Sequence, residues 1–175
     1  MTNPAANSRP ATTARLLGDV GGTHIRLAWQ AGSGAPFEQV QVLRCADFAD
    51  IEQAIRHYLR LTGVALPPQG ALGVATPITG DAVQMTNHHW QFSVRALRQA
   101  LALQRLDVIN DFTALALALP DLQPAELQQI GGTVATAGAP LALLGAGTGL
   151  GVSGLLFAPA TGQPLPISGE GGHVT

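Results

Sequence analysis

The sequence predicts an α/β protein with a mixed sheet, made of one lobe and the start of a second. Three strand candidates joined by short turns open the chain, which indicates an antiparallel meander. Strand and helix patterns then alternate, which is typical of strands connected through helices. A glycine-rich turn between two strands occurs twice, at 18–23 and at 145–151. This repetition suggests two related lobes, of which only the first is whole.

Composition narrows the classes of function. The 175 residues are 46% hydrophobic and 11% charged, with a formal net charge of −2. Without a surplus of basic residues, nucleic acid and anionic membranes are not expected as partners. All nine basic residues are arginine. A P-loop is excluded, because its lysine must reach the nucleotide phosphates.

Cysteine usage and apolar runs indicate the compartment. Cys45 is the single cysteine, so neither a disulfide framework nor a cysteine-built zinc site is expected. Residues 1–13 are polar and are expected to form a disordered tail without the apolar core of a signal peptide. The longest apolar run, 114–119, is far shorter than the roughly 20 residues of a membrane-spanning helix. We therefore expect a cytoplasmic protein.

Local patterns divide the chain into a first lobe at 14–138 and the start of a second lobe at 139–175. Short apolar runs bounded by glycine, proline or other turn residues predict the strands. The C-terminal segment is rich in glycine and proline, and we expect a loop there. The strands of the second lobe are expected to have an uncovered apolar face. The predicted strands are 14–18, 25–29, 38–43, 71–75, 106–109, 141–144 and 153–157.

Three helices are predicted in the first lobe. Asp47 is expected to cap a helix whose apolar stripe extends from Phe48 to Leu59. Ser93 is expected to cap a second helix that continues through Leu103. A third helix should follow Asp111 as far as Pro120, whose ring cannot continue a helix.

The first glycine turn, 18–23, reads Gly-Asp-Val-Gly-Gly-Thr. Glycines between two strands let the backbone approach a ligand closely and direct several N–H groups at it. Asp19 at the mouth of this turn could hold a magnesium ion through water, and Thr23 offers a hydroxyl. The structural alternative is a hairpin turn whose glycines have positive φ angles, and this motif alone does not decide between them.

The second glycine turn, 145–151, has two rival interpretations. One is a flexible turn. The other is a dinucleotide site, because residues 149–154 fit the spacing GxGxxG and Glu170 lies 21 residues after Gly149. That fingerprint must open a helix, whereas residues 155–159 are β-like and end in proline. The dinucleotide interpretation is therefore disfavoured.

Asn110 and Asp111 follow a predicted strand. A carboxylate at a strand end can accept the proton of a substrate hydroxyl as that oxygen attacks phosphorus. Such general-base help typically accelerates a reaction about 10²–10⁴-fold. An ordinary helix cap is the structural alternative, and it is the stronger one when the pair is considered alone.

Two further polar groups are candidates for binding. Glu170 and His173 flank two glycines, which argues against a helical metal site and favours a rigid loop that holds sugar hydroxyls. His88 and His89 are adjacent but have no third ligand nearby in the sequence. We interpret this histidine pair as structural or cleft-lining.

Taken together and in this order, these motifs resemble the bacterial ATP-dependent glucokinase family, a branch of the hexokinase and actin-like ATPase superfamily. The likeness covers about 15–175. Each segment is weak alone, and five in register are specific. They are LLGDVGGT at 16–23, ATPITGDAVQMTNHHW at 75–90, VINDFTALALALP at 108–120, GAGTGLGVSGLL at 145–156 and GEGGHV at 169–174.

The resemblance implies an actin-like ATPase (ribonuclease H-like) lobe and transfer of the ATP γ-phosphate to the C6 hydroxyl of D-glucose in glycolysis, with Mg²⁺ held by the ATP phosphates. Asp111 matches the catalytic base, and Asn110 matches a sugar-binding residue. Glu170 and His173 match residues that hold hydroxyls near the anomeric end. A homodimer is left open. The implied phosphate-binding residues are Gly18, Asp19, Val20, Gly21, Gly22 and Thr23 in the first turn and Gly147, Thr148 and Gly149 in the second.

Some positions depart from the family pattern. His24 replaces a common asparagine and Thr175 a common aspartate, and neither belongs to the base or the phosphate turns. With Cys45 alone, the chain lacks the cysteine-rich zinc loop of the related ROK sugar kinases and repressors. Family members are longer, and a third sugar-contacting glutamate and the adenosine-binding segment belong to their additional sequence. The alternative function is therefore a catalytically incomplete fragment, inactive alone, that acts as a sugar-binding or regulatory remnant.

Overall fold

The computed structural model describes residues 13–132, 136–146 and 150–170, except the side chain of Glu170. The chain forms two compact units. The first contains residues up to Leu72 together with Thr79–Val108, and the second contains Gly73–Ile78 and the residues from Ile109 onward. Most of the predicted tail lies outside the described residues. The lobe boundary predicted between residues 138 and 139 stays a prediction.

The described residues form three α-helices and ten β-strands. All seven predicted strands are present, and each is one to three residues longer than predicted. The helices are α1 (Ile51–Thr62), α2 (Val94–Ala100) and α3 (Asp111–Ala118). The strands are β1 (Arg15–Val20), β2 (His24–Gln30), β3 (Phe37–Arg44), β4 (Gln69–Val74), β5 (Ala82–Gln84), β6 (Gln91–Ser93), β7 (Arg105–Asn110), β8 (Leu141–Ala146), β9 (Leu150–Phe157) and β10 (Pro164–Glu170).

A five-stranded mixed sheet in the order β3-β2-β1-β4-β7 forms the base of the first unit. β1, β2 and β3 are antiparallel neighbours, which confirms the predicted meander. Short β5 and β6 pair separately as a hairpin. One face of the sheet is buried because alternate positions of its strands are apolar, as Ile25 and Leu27 of β2 illustrate. β4 and β7 continue into the second unit, where β7 ends at Asn110.

The cap of α1 corrects one prediction. Asp50, and not Asp47, is the N-cap: its Oδ1 accepts a hydrogen bond from Gln53 N at 2.8 Å. Asp47 instead ends a 3₁₀ turn, Cys45–Asp47, which delays the start of the helix. At the other end Gly63 has a left-handed conformation, φ 69°, which glycine adopts without strain.

The cap of α2 confirms another prediction. Ser93 Oγ accepts from Ala96 N at 3.0 Å and donates to Asp81 Oδ2 at 2.6 Å. The hydrogen bond from the Ser93 hydroxyl and then that from the N–H of Arg95 hold the pKa of Asp81 below its usual value. The helix ends at Ala100, earlier than predicted, because Ala102 takes the left-handed conformation at φ 50°.

The second unit contains a three-stranded antiparallel sheet in the order β10-β9-β8. β10 lies where the sequence predicted a loop, and that prediction was wrong. Its prolines, Pro164 and Pro166, are tolerated because β10 is an edge strand, where a missing N–H costs no ladder bond. The predicted helix to Pro120 is α3 followed by a 3₁₀ turn, Leu119–Asp121.

The two faces of this sheet differ. α3 packs against all three strands on one face. The other face carries exposed aliphatic side chains, and Leu144 is 68% exposed. This result confirms the predicted uncovered apolar face. The exposed aliphatic residues are Leu144, Leu150, Leu156, Leu165 and Ile167.

Candidate active site

The first glycine turn, 18–23, connects β1 to β2 in the first unit. A Cβ on Gly18 would lie 2.5 Å from Cδ2 of Leu72. A Cβ on Gly22 would lie 2.9 Å from Asn87 Cβ and 3.0 Å from Asn87 O. None of the three glycines of this turn has a positive φ angle. They are needed for close packing, so the alternative of a hairpin turn with positive φ angles is wrong.

Cys45 holds this turn through two hydrogen bonds to its backbone carbonyls. Its N–H donates to Thr23 O at 2.9 Å, and its Sγ donates to Gly21 O at 3.4 Å. Within the turn, Gly21 N donates to His24 O at 2.9 Å. Cys45 is fully buried, and burial raises the pKa of its thiol. The thiol therefore stays protonated and serves as a donor to the turn.

Asp19 presents its carboxylate at the mouth of the turn. It lies opposite Arg26 in the β1–β2 register, and Arg26 Nη1 is 2.8 Å from Asp19 Oδ2. The two side chains are more than half exposed, so the pair stabilises the fold by about 0–1 kcal/mol. Val20 is buried and Thr23 is exposed. The turn thus combines a buried anchor with two polar side chains that solvent can reach.

A loop at 85–90 carries Asn87 to the back of the turn. Met85 N donates to Trp90 O at 3.0 Å and closes the loop. Trp90 is fully buried, and its Nε1 donates to Phe48 O at 3.2 Å. This buried indole holds the loop in place, so Asn87 packs against Gly22 through a fixed backbone.

The histidine pair belongs to the same loop. His88 Nδ1 accepts a hydrogen bond from Trp90 N at 3.4 Å, and His89 Nε2 lies 3.2 Å from Ala49 O. Partial burial and then the neighbouring His89 lower the pKa of His88. These contacts agree with the structural interpretation of the pair. In the part of the chain that the structure describes, no three His, Cys, Asp or Glu side chains are grouped to hold a metal ion.

Asn110 and Asp111 lie where β7 passes into α3, in the second unit. Asn110 caps α3, since its Oδ1 accepts from Thr113 N at 3.1 Å. Its Nδ2 donates to Thr76 O at 3.3 Å and to Asp111 Oδ1 at 2.9 Å. Asp111 Oδ1 also accepts from Phe112 N at 2.9 Å. The cap predicted as an alternative is therefore present at Asn110, and it holds the neighbouring carboxylate in one orientation.

Asp111 places its carboxylate at the N-terminal end of α3. It is the first residue of α3, where the partial positive charge of the helix terminus stabilises a negative group. Its side chain is half-buried. With Oδ1 held by two donors, this carboxylate has the fixed geometry that a general base requires.

The remaining predicted site residues belong to the second glycine turn and to the C-terminal segment. Gly147, Thr148, Gly149 and His173 lie outside the described residues. Glu170 is the last residue of β10, opposite Gly151 of β9, and not part of a loop as predicted. β8 and β9 form a hairpin across the second glycine turn. Because a strand and not a helix follows this turn, the dinucleotide interpretation is wrong.

The structure therefore groups the predicted residues in two places. The turn at 18–23 belongs to the first unit, and Asn110 and Asp111 belong to the second. Cys45 and Asn87, which support the turn, were not recognised from the sequence. Their only sequence signal is a position just after a strand or inside a loop, which does not identify a tertiary contact.

Membrane insertion through a helix finds no support in the structure: none of the helices among the described residues has the length and apolar character to cross a bilayer.

Comparison with known proteins identifies the family. The glucokinase family profile matches residues 16–175. The glucokinase of Aromatoleum aromaticum is 52% identical over 165 residues, which are 94% of this chain and 49% of that protein. The glucokinase of Cupriavidus pinatubonensis is 51% identical over an alignment of 177 positions, which covers 97% of this chain and 50% of that protein. The chain spans about half the length of the glucokinases it matches.

Solved structures agree on the fold. A glucokinase from an Antarctic psychrotroph matches with a TM-score of 0.82 and 33% identity, covering 93% of this chain and 52% of the other. A ROK hexokinase from Thermus thermophilus matches with a TM-score of 0.60 and 21% identity, covering 91% and 50%. The predicted α/β actin-like ATPase fold is thereby confirmed. By sequence and by fold, this chain belongs to the glucokinase family.

Proposed function

We propose that this chain supplies the catalytic base and the first phosphate-binding turn of a glucokinase, which transfers the γ-phosphate of ATP to the C6 hydroxyl of glucose. The observation that carries the proposal is the Asn110–Asp111 junction. Asp111 lies at a helix N-terminus, with one carboxylate oxygen held by a side-chain amide and a backbone N–H. A carboxylate held in this way is suited to remove a proton from a substrate hydroxyl.

In the proposed reaction, the carboxylate of Asp111 accepts the C6 hydroxyl proton of glucose. The C6 oxygen forms a bond to the γ-phosphorus as the bond from that phosphorus to the bridging oxygen breaks, and ADP leaves. Asn110 fixes Asp111 before the sugar arrives, which avoids reorganisation during the step. Both N–H groups of the Asn110 amide are used internally, so Asn110 has capacity left only to accept at Oδ1. A sugar hydroxyl would donate to that oxygen.

The phosphates are proposed to bind the first turn through backbone amides, since the chain has no lysine. Gly21 N donates within the turn, so Gly22 and Thr23 are the donors proposed for a phosphate. Gly147, Thr148 and Gly149 are proposed for the second phosphate contact. Mg²⁺, bound mainly by the ATP phosphates, would neutralise their charge. Asp19 is proposed to bind Mg²⁺ indirectly, through a water molecule, because its carboxylate is exposed at the mouth of the turn.

Further parts of the proposal rest on the family. Glu170 and His173 are proposed to hold hydroxyls near the anomeric end of glucose. A cytoplasmic location is proposed, and a homodimer stays a prediction. The alternative of a non-catalytic, sugar-binding remnant is favoured for the 175 residues alone by one observation, the exposed apolar face of the β8–β10 sheet.

A hybrid enzyme tests the proposal. Residues 1–175 replace the segment that they match in the Aromatoleum aromaticum glucokinase, and glucose, ATP and Mg²⁺ are supplied. We expect glucose 6-phosphate, identified by ³¹P and ¹³C NMR. The control sugar, 6-deoxyglucose, should bind without being phosphorylated, because it lacks the reacting hydroxyl. Phosphorylation of another hydroxyl, or ATP hydrolysis alone, would contradict the proposed function.

A further inference from the structure

Phe112, next to Asp111, packs against two glycines in the second unit. Its ring lies against Gly145 of β8 and Gly151 of β9, which are paired directly across the two strands. A Cβ on Gly145 would lie 2.6 Å from Phe112 Cζ and 2.7 Å from Cε1. A Cβ on Gly151 would approach the same ring more closely still. The edge of the ring therefore occupies the space of two absent side chains.

Backbone conformation does not explain these two glycines. Neither has a positive φ angle, so alanine would fit the local backbone at both positions. Among the described residues, the atoms nearest to a Cβ at both positions belong to the ring of Phe112. The Gly145–Gly151 pair is thus a socket on the sheet surface, and the ring of Phe112 fills it.

Besides the ring, two polar contacts among the described residues attach the first turn of α3. Asn110 joins the helix start to Thr76 O, and Thr113 Oγ1 lies 3.2 Å from Ser168 Oγ of β10. Both of these attachments are single polar contacts of 3.2–3.3 Å. The Phe112 contact is instead a steric one, in which displacement in either direction costs contact or creates a clash.

We propose that Phe112 is a positioning residue for Asp111. Its ring, seated in the Gly145–Gly151 socket, fixes the first turn of α3 on the sheet, and the N–H of the same residue holds Asp111 Oδ1. Phe112 therefore contributes to the place of the helix turn and, together with Asn110, to the orientation of the carboxylate. The inference rests on the proposed function of Asp111 as the base.

The test compares three variants of the hybrid enzyme: Phe112→Leu, Gly151→Ala and the double variant. Phe112→Leu leaves part of the socket empty. Gly151→Ala adds a methyl group to the sheet surface in the space that the Phe112 ring occupies. A displacement of about 1 Å can cost up to about 10²-fold in rate, so each single variant should lower kcat at least ~10-fold. The glucose Kd should stay within about twofold. The double variant should recover activity, because the smaller leucine leaves room for the new methyl group.

Leu115→Ala is the matched control, since Leu115 lies on the same helix and is 52% exposed. It should leave kcat unchanged. A second readout needs no turnover: in the 175-residue chain, the ¹⁵N shifts of the Asn110 side-chain amide and the Asp111 N–H should move in both single variants and return in the double variant. If a variant hybrid fails to fold, these shifts in the 175-residue chain still test the role of Phe112.

The outcomes separate this inference from the proposed function. An inactive wild-type hybrid would count against the function, and the amide shifts would still decide the role of Phe112. The inference is overturned if Phe112→Leu retains full kcat and unshifted amides in a hybrid that phosphorylates glucose. It is also overturned if the losses of the two single variants simply add.

Discussion

In the first unit, β2 alternates buried Ile25 and Leu27 with exposed His24 and Arg26, whereas in the second unit β8 leaves Leu144 in solvent. The first pattern is that of a sheet with one covered and one solvated face. In the second unit, α3 covers one face, and aliphatic residues dominate the other. Sheets apolar on both faces are typical of positions buried on both sides. The second sheet therefore has more apolar surface than its own unit buries.

The two candidate sites differ in a parallel way. The turn at 18–23 is held through its own backbone carbonyls, which accept from the N–H and the thiol of Cys45, and Asn87 packs against its backbone at Gly22. The junction at Asn110 and Asp111 is held by side-chain hydrogen bonds. A turn held by its backbone should be sensitive to added atoms, and a junction held by side chains should be sensitive to a changed functional group.

The largest expected effect concerns stability. Leu27→Ala, at a site 1% exposed, should lower the free energy of unfolding by about 2–5 kcal/mol. Leu144→Ala, at a site 68% exposed, should change it by less than about 0.5 kcal/mol. Urea denaturation followed by circular dichroism measures both. Equal losses would show that the outer face of the second sheet is buried in solution.

The next effect concerns the sugar site proposed for the second unit. If Glu170 and His173 bind glucose hydroxyls, a missing hydroxyl leaves a partner unpaired at a cost of about 1–3 kcal/mol. The hybrid should therefore use 2-deoxyglucose with a kcat/KM about 10–100-fold below that for glucose. Steady-state kinetics with both sugars give the ratio. Equal kcat/KM values would contradict the proposed binding of sugar hydroxyls by Glu170 and His173.

The smallest effect tests a local correction in the first unit. Asp50→Ala should cost about 1 kcal/mol, because it removes the acceptor for Gln53 N at the start of α1. Asp47→Ala is the matched control and should be nearly neutral, since the N-cap of α1 is Asp50 and Asp47 belongs to the preceding 3₁₀ turn. Thermal unfolding of both variants distinguishes them, and a larger loss at Asp47 would restore the cap first predicted.

Sequence patterns were sufficient where the determining contacts are local. Ser93 is three residues from the amide it caps, and the β1–β3 meander follows from short turns. Two aspartates close together made the cap of α1 ambiguous, and prolines concealed β10 because they are tolerated only at a sheet edge. For the candidate site, the motifs predicted which residues bear the chemistry, and those roles stay predictions. The residues that support them could not be predicted from the sequence.

Those supports depend on distant contacts. Cys45 meets Gly21 across 24 residues of chain. Phe112 meets Gly145 and Gly151 only once β8 and β9 are paired beside α3. Hydrophobic periodicity in the sequence does not predict contacts between such distant residues. In the sequence, the glycines that these contacts require cannot be distinguished from ordinary turn glycines.

The most direct test of this account is the Asp111→Asn variant of the hybrid enzyme. Asparagine keeps the size of the side chain and an acceptor for Phe112 N, but it cannot take a proton. We predict a kcat at least ~10²-fold lower with a nearly unchanged glucose Kd, while Asp121→Asn, an exposed position beyond α3, retains full activity. Wild-type turnover in Asp111→Asn would contradict the assignment of Asp111 as the base.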